Sequence, residues 1–377
     1  MNELPSGSSN EENLEHWGLL LPWVTHVYIV GHLILFSILG TLARLGVVAI
    51  NSYPEAPVDT AVLWANAGGS FLLGLLVEDC HLFREEWGNF SSPITWSFHP
   101  DRLASDQTES RQEAHGNHGK VKKTIPLFIG LATGFCGCFT SFSSFISDAV
   151  LALINVSLRG GGGSPTATIP RNGGHQLEAG LAIIIVHVAT SAAALRTGSH
   201  LAGGFDAYVP TIRFRTMRKV IDPCITVLGF GCWLGAVFIS IYPPYLEWRG
   251  EVTMALVFGP VGCLFRFYLC QHLNPRRDSF PLGTFAANFF GTVILGACFD
   301  LQHSASLAAN VDGRQVLAGI IDGFCGCGTT VSTWIAELHD LTTKQAYFYG
   351  FCSVAITLIS LVVIINSFRL SVGFAAC

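Results

Sequence analysis

Charge is what this sequence has least of: Asp, Glu, Lys and Arg make up 12% of its 377 residues, against about 25% in soluble domains. That shortage excludes an ordinary soluble enzyme. With 50% hydrophobic residues the chain is also not intrinsically disordered, because disorder needs low hydrophobicity and high charge. An excess of basic residues is missing too, and a net charge of −5 offers no surface for nucleic acid. No Gly-x4-Gly-Lys-Ser/Thr occurs, so nothing points to nucleotide-driven pumping. The first residues are acidic (Glu3, Glu11, Glu12, Glu15) where a cleavable signal would be basic. The 12 cysteines are scattered, several inside apolar blocks, unlike a secreted disulfide framework.

What the chain does have is apolar runs near the ~20 residues that cross a bilayer. Nine are expected, at 24–50, 60–77, 125–154, 177–195, 225–241, 254–272, 282–300, 317–338 and 346–368. The sequence thus describes an all-α polytopic membrane protein. Lys and Arg gather in alternate connections: Lys120, Lys122 and Lys123; Arg213, Arg215, Arg218 and Lys219; Arg276 and Arg277. Positive residues mark the cytoplasmic side, so the N-terminus is expected in the cytoplasm and the C-terminus outside. Two connections read as flexible, polar 78–123 and 157–175 with its run Gly160–Gly163.

The chain also repeats itself. Gly40-x3-Arg44 recurs as Gly262-x3-Arg266, and Asn66 with Gly69 and Gly74 recurs at the same offset as Asn288 with Gly291 and Gly296. Gly134-Phe-Cys-Gly-Cys138 recurs as Gly323-Phe-Cys-Gly-Cys327 at a smaller offset, as the shorter loop before span eight requires. Each repeat holds four spans and span five belongs to neither. An odd number of crossings between matching helices inverts the second copy, an arrangement that places ion sites near mid-membrane. The expected organisation is a tail (1–23), a first four-helix repeat (24–197), a basic loop and linker helix (198–245), and a second, inverted repeat (246–377).

The third span of each repeat carries the clearest chemistry. Glycines followed by Thr140, Ser141, Ser143 and Ser144, or by Thr329, Thr330, Ser332 and Thr333, make poor unbroken helix. Broken backbone survives in hydrocarbon only where protein, water or an ion satisfies it. Close helix packing by small residues is the plainer alternative for one copy, but two matching copies favour paired breaks whose carbonyls could coordinate a cation. Phenylalanines interleave with the hydroxyls, and a phenyl ring has a positive edge that can face an anion.

These motifs resemble the bacterial Fluc/CrcB fluoride channels: Gly-x3-Arg in the first helix, Asn-x2-Gly in the second, and the Gly-Cys-x-Thr-Ser-Phe-Ser-Ser-Phe145 stretch in the third. The duplicated form with a linker helix resembles the eukaryotic fluoride exporters, over roughly residues 27–370. The resemblance implies a passive pore that exports F⁻, two narrow pathways, and a central Na⁺ held by backbone carbonyls of Gly137, Thr140, Gly326 and Thr329. It implies pore asparagines at Asn66 and Asn288, and arginines Arg44 and Arg266 that draw anions into the vestibules, unless they merely snorkel. The hydroxyls Ser143 and Thr330 join the expected pathway.

The family's paired phenylalanines fall at Phe142 and Phe145, and at Val331 and Trp334 in the second half. Each family pathway takes one from each half, so Phe142 would meet Trp334, and Phe145 would meet Val331. Tyr349, Ser353 and Thr357 recur every four residues on one face and resemble the family's polar track. Aligned positions in span four are expected near Ala179, Ile183 and His187. One pathway is expected to conduct, the one with Phe142 and Trp334, working as a monomer in the plasma membrane.

Other residues stay open. Asp148 and Glu337 align with each other, as functional acids or as hydrated carboxylates near span ends. A proton-coupled antiporter using either is the first alternative. A zinc site of Cys136, Cys138, Cys325 and Cys327 is a remote one, since Cys-x-Cys is not the usual ligand spacing. His32 and His187 read as packing residues. The sequon Asn155-Val-Ser157 lies too close to the membrane for weight.

Overall fold

Hydrocarbon leaves the backbone few ways to pair its polar groups, and the α-helix is the local one. The computed structural model describes residues 8–53, 60, 62–79, 81–83, 122–155, 172–205, 208–213, 216–242, 252–304 and 310–371, with side chains from residue 23 onward. Among these there are helices and no β-strand. The segment 1–7, most of the polar loop and the run Gly160–Gly163 lie outside the described residues.

Among the described residues nine helices follow in order: α1 Ser8–Asn51, α2 Val62–Glu78, α3 Pro126–Leu153, α4 Gly173–Phe205, α5 Met217–Ile241, α6 Met254–Arg276, α7 Leu282–Gln302, α8 Val311–Asp340 and α9 Thr343–Ser371. Eight are long and apolar enough to cross a membrane, and α2 is apolar at 17 residues. Helix α1 starts well before residue 24, so part of the expected tail is helical.

Lipid is as apolar as leucine, so helix association here rests on close fit rather than on escape from water. Helices α1 and α6 approach the broken helices α3 and α8 through glycine. A methyl carbon added at Gly40 would lie 2.5 Å from Phe135 O, and one at Gly262 would lie 2.2 Å from Phe324 O. The two glycines of the sequence repeat thus do the same job in each half. Helix α2 packs on α4, and α7 on α9; α5 packs on α1 and, less extensively, on α6.

The two halves interlock. The last arm of α3, Phe142–Leu153, packs on its own α4 but also on α7 and α9 of the other half. The last arm of α8, Ser332–Asp340, packs reciprocally on α2 and α4. Matching residues make matching contacts across the seam, which is the signature of a two-fold relation. The basic segments converge at one end: Ile212 N–H donates to Leu82 O at 3.1 Å. Lys122 Nζ donates to Leu76 O and Val77 O at the end of α2. Asn274, just before Arg276, donates to Glu337, which Lys123 also reaches electrostatically. Lys120 and Arg215 lie outside the described residues.

Candidate functional site

Helix α3 passes through a π-helical stretch, Gly130–Cys136, and one regular turn, Gly137–Phe139. Thr140 (φ −93°, ψ 152°) and Ser141 (φ −142°, ψ 116°) are then extended before the last arm begins. Helix α8 does the same, with a π-helical stretch Ile320–Cys325, a turn Gly326–Gly328 and an extended Thr329 (φ −109°, ψ 158°). The expected breaks are present. The wide π turns were not legible, because their residues carry only the glycine content common to any close-packed membrane helix.

Side chains replace the peptide partners lost at each break. Ser141 N–H donates to Asn66 Oδ1 at 2.8 Å, and Asn66 Nδ2 donates to Ser141 O at 3.4 Å. Thr330 N–H donates to Asn288 Oδ1 at 2.8 Å, and Asn288 Nδ2 donates to Thr330 O at 3.2 Å. An unpaired buried peptide group costs about 1–3 kcal/mol, so each asparagine holds its break together. Each amide carries a second N–H beyond the one engaged there.

The threonines work across the seam. Thr140 Oγ1 accepts the N–H groups of Val331 and Ser332, both at 3.2 Å, and so caps the last arm of α8. Thr329 Oγ1 accepts the Ser143 N–H at 3.1 Å and caps the last arm of α3. Ser332 Oγ donates to Cys136 O and Ser143 Oγ to Cys325 O, again as a reciprocal pair. An N-cap of this kind contributes about 1 kcal/mol, here supplied by the opposite half.

Arg44 and Arg266 are neither in a vestibule nor snorkelling: they are 2% and 1% exposed. Arg44 Nε donates to Cys138 O at 3.1 Å and its Nη2 to Asp322 O. Arg266 Nε donates to Cys327 O at 2.9 Å and its Nη2 to Thr133 O at 2.8 Å. The physical reason is supply. A helix end and a π turn leave carbonyls that the planar five-donor guanidinium suits. Gly326 and Gly137 make the room, since a Cβ at either would lie 2.4 Å from a guanidinium nitrogen.

Beyond the breaks Phe142 and Phe145 touch edge to face at 5.6 Å within one apolar cluster, but each has its own set of further partners, and these form two groups. Phe142 meets Trp334 across the seam at 5.2 Å between centroids, nearly edge to face at 74°. The indole lies along α9, with Cζ2 3.9 Å from the place a Gly350 Cβ would take. The buried face of α9 carries Tyr349, Ser353 and Thr357. Ser353 Oγ donates to Tyr349 O, and Thr357 Oγ1 to Ser353 O. Tyr349 Oη donates to Glu337 Oε2 at 2.8 Å, and Thr284 Oγ1 donates to the other oxygen.

The second group is different. Phe145 stacks on His187 at 4.8 Å and 26°. Val331 is buried in the same core without a ring to offer. The register of α4 also differs from the expectation. Gly74 packs against Leu195 and its repeat partner Gly296 against Leu361. Leu195 therefore matches Leu361, and one-turn steps back from it pair Ser191 with Thr357, His187 with Ser353 and Ile183 with Tyr349. The expected alignment with Ala179, Ile183 and His187 was one turn out, because α4 gives no sequence mark for its register.

Of the remaining residues, Asp148 is half-buried and engaged in an interaction. Asn155 closes α3 in a left-handed conformation, φ 55°, and Ser157 of the sequon lies outside the described residues. Cys136, Cys138, Cys325 and Cys327 are buried thiols. Among the described residues no group of three or more His, Cys, Asp or Glu could hold a metal ion. One ionic group was missed: His32 Nε2 lies 3.3 Å from Asp222 Oδ1, and Arg218 donates to the other carboxylate oxygen at 3.1 Å. Asp222, an acid at the start of the apolar linker helix α5, was the available signal.

The family model described as CrcB-like protein, Camphor Resistance (CrcB), matches residues 32–199 and 253–367. Fluoride export protein 1 of Neurospora crassa is 46% identical over 366 residues, covering 93% of this chain and 68% of the relative. Fluoride export protein 1 of Candida albicans is 29% identical over 377 residues, 98% of this chain and 87% of the relative. Fluoride-specific ion channel FluC of Acinetobacter baylyi is 35% identical over 98 residues, 26% of this chain and 72% of that protein. No solved structure matches. With two regions fitting one family model around a shared seam, the chain belongs to the CrcB-like family and carries two of its domains in a single polypeptide.

Proposed function

We propose that this chain is a fluoride-selective channel that lets F⁻ leave the cytoplasm down its electrochemical gradient across the plasma membrane. The relatives named for fluoride export or fluoride-specific conduction support the ion. The observation that carries the route is the Phe142–Trp334 pair meeting from opposite halves beside the hydroxyl stripe of α9. The convergence of basic segments at one end supports a cytoplasmic N-terminus. The two repeats, 24–197 and 246–377, would be the two halves of one channel, with 198–245 linking them.

Fluoride is small and strongly hydrated, so its path must offer donors where water is stripped away. Tyr349, Ser353 and Thr357 carry hydroxyls, and a hydroxyl hydrogen can rotate. Ser353 and Thr357 bond to carbonyls that the helix already pairs with N–H groups. Turning either hydroxyl to an anion therefore strands no acceptor. The ring edge of Phe142 adds a weak positive wall. The free N–H of Asn66 or Asn288 and the hydroxyls of Ser143 and Thr330 belong to the same lining near the breaks. Arg44 and Arg266 contribute positive potential from within the frame. A negative interior drives each F⁻ outward by about 2.3 kcal/mol per 100 mV, so no fuel is needed.

The breaks also suit a structural sodium ion. The N–H groups that would close helical bonds on Gly137 O and Gly326 O are diverted to Asn66 and Asn288, and hard cations take oxygen ligands. The carbonyls of Gly137, Thr140, Gly326 and Thr329 would hold Na⁺ at the seam, leaving Cys138 O and Cys327 O to the arginines. Bound there, the ion would offset carbonyl dipoles that otherwise repel. Replacing Na⁺ by N-methylglucamine should lower the unfolding temperature of the purified protein; an unchanged value counts against the site.

A proton-coupled exchanger is the second reading, favoured by Glu337 accepting from Tyr349, the first residue of the hydroxyl stripe. Channel currents reversing at the fluoride equilibrium potential support the first reading; strict coupling to a pH gradient supports the second. The direct test of function is expression in cells lacking fluoride efflux. Growth restored in fluoride is expected, and growth no better than with an empty vector would refute the proposal.

A further inference from the structure

The family's aromatic position holds an indole in the second half, and an indole carries something a phenyl ring does not. Trp334 is 1% exposed, and its Nε1 is buried without a hydrogen-bond partner in the structure. Indole Nε1–H is a donor only, and Trp N–H groups usually find a partner when buried. Its surroundings supply little. Phe142 stands edge to face beside it, and Val331, Ile335 and Phe145 belong to the same apolar cluster. The N–H edge of the ring is the one that carries Cζ2, the atom that lies along α9 at Gly350. Ser353 and Tyr349 flank Gly350 on that helix, and both face inward. Neither hydroxyl accepts from the indole; each directs its hydrogen to another acceptor, Ser353 to Tyr349 O and Tyr349 to Glu337.

We infer that Trp334 Nε1–H is a hydrogen-bond donor to the anion in transit, placed where the indole meets Phe142 and lies along α9. This rests on the reading of that group as the fluoride route. A donor that no protein acceptor satisfies is complete only when an acceptor passes, and among halides the acceptor strength is greatest for fluoride. The indole therefore sharpens selectivity at a point where a phenyl ring would offer only its C–H edge. It also separates the two aromatic groups further, since neither Phe145 nor Val331 has a donor to place.

Two measurements test it on the full chain in liposomes and detergent. Trp334→Phe keeps an aromatic ring but removes the N–H with the five-membered ring, so F⁻ efflux should fall at least about tenfold, the cost of one hydrogen bond to a charged group. Phe142→Ile serves as the control for the route. If Phe142→Ile silences efflux while Trp334→Phe leaves it unchanged, the donor role fails and the route stands. If neither variant changes efflux, the route itself is wrong and the inference goes with it. The second measurement needs no variant to conduct. In ¹⁵N-tryptophan protein, the indole resonance missing from Trp334→Phe should shift on titration with NaF and stay still with NaCl. A resonance indifferent to fluoride would overturn the inference, and would mean that water or nothing occupies the N–H.

Discussion

The two aromatic groups sit in frames that match closely and differ in what they enclose. Both frames have an asparagine clasp, a threonine cap from the opposite half, a buried arginine and a glycine contact at equivalent places. Around Phe142 the contents are Trp334, Tyr349, Ser353 and Thr357. Around Phe145 they are Val331, Ile183 and His187, with the imidazole laid against the phenyl face. His187 Nδ1 lies 3.0 Å from Ile183 O, an acceptor, so that nitrogen donates, and in the neutral ring the buried Nε2 keeps an acceptor lone pair. A lone pair and a covered ring face suit an anion poorly. The lesson is that folding constrains the frames of both halves alike, because each cap and clamp stabilises the other half, while conduction constrains the contents of one.

That comparison can be broken or sharpened in order of expected effect. The largest effects should be shared. Gly40→Ala and Gly262→Ala each drive a methyl against a backbone oxygen, and overpacking of this kind costs about 1–3 kcal/mol or more. Both variants should lose folded, monodisperse protein to a similar extent in detergent extraction; loss from one alone would contradict the matched frames. Next come changes that should separate the halves. Thr357→Ala should lower fluoride efflux several-fold, whereas Ser191→Ala at the equivalent place should leave it near wild type, as read by a fluoride electrode on loaded liposomes. Equal effects would make the two contents equivalent after all.

Smaller and again symmetric effects are expected at the caps. Thr140→Val and Thr329→Val each remove an N-cap contributed to the other half, worth about 1 kcal/mol, and should lower the thermal midpoint by similar amounts. The smallest effect is foreseen for His187→Leu, which removes the stacked imidazole without touching the Phe142 group; efflux should stay within experimental scatter of wild type.

Much of this frame was legible from sequence because its parts are repeated. The offset pairs Gly40/Gly262 and Asn66/Asn288 marked the matched contacts, and the glycine–hydroxyl runs marked the breaks. Legibility failed where chemistry is context. Nothing in Arg44 or Arg266 distinguishes a vestibule residue from a buried clamp; the difference lies in carbonyls freed by π turns in another helix. The register of α4 was misjudged by one turn because α4 keeps a histidine and a serine where α9 keeps hydroxyls, and glycine packing alone fixes the alignment. The His32–Asp222–Arg218 group joins α1 to the linker helix, so it has no repeat partner to announce it.

The claim that one of two matched routes conducts is tested most directly by fluoride efflux from liposomes holding the purified chain, driven by a potassium diffusion potential with no pH gradient. The account predicts rapid efflux for wild type and for Phe145→Ile, and none for Phe142→Ile. Equal losses in the two variants, or a wild type that passes no fluoride, would contradict it.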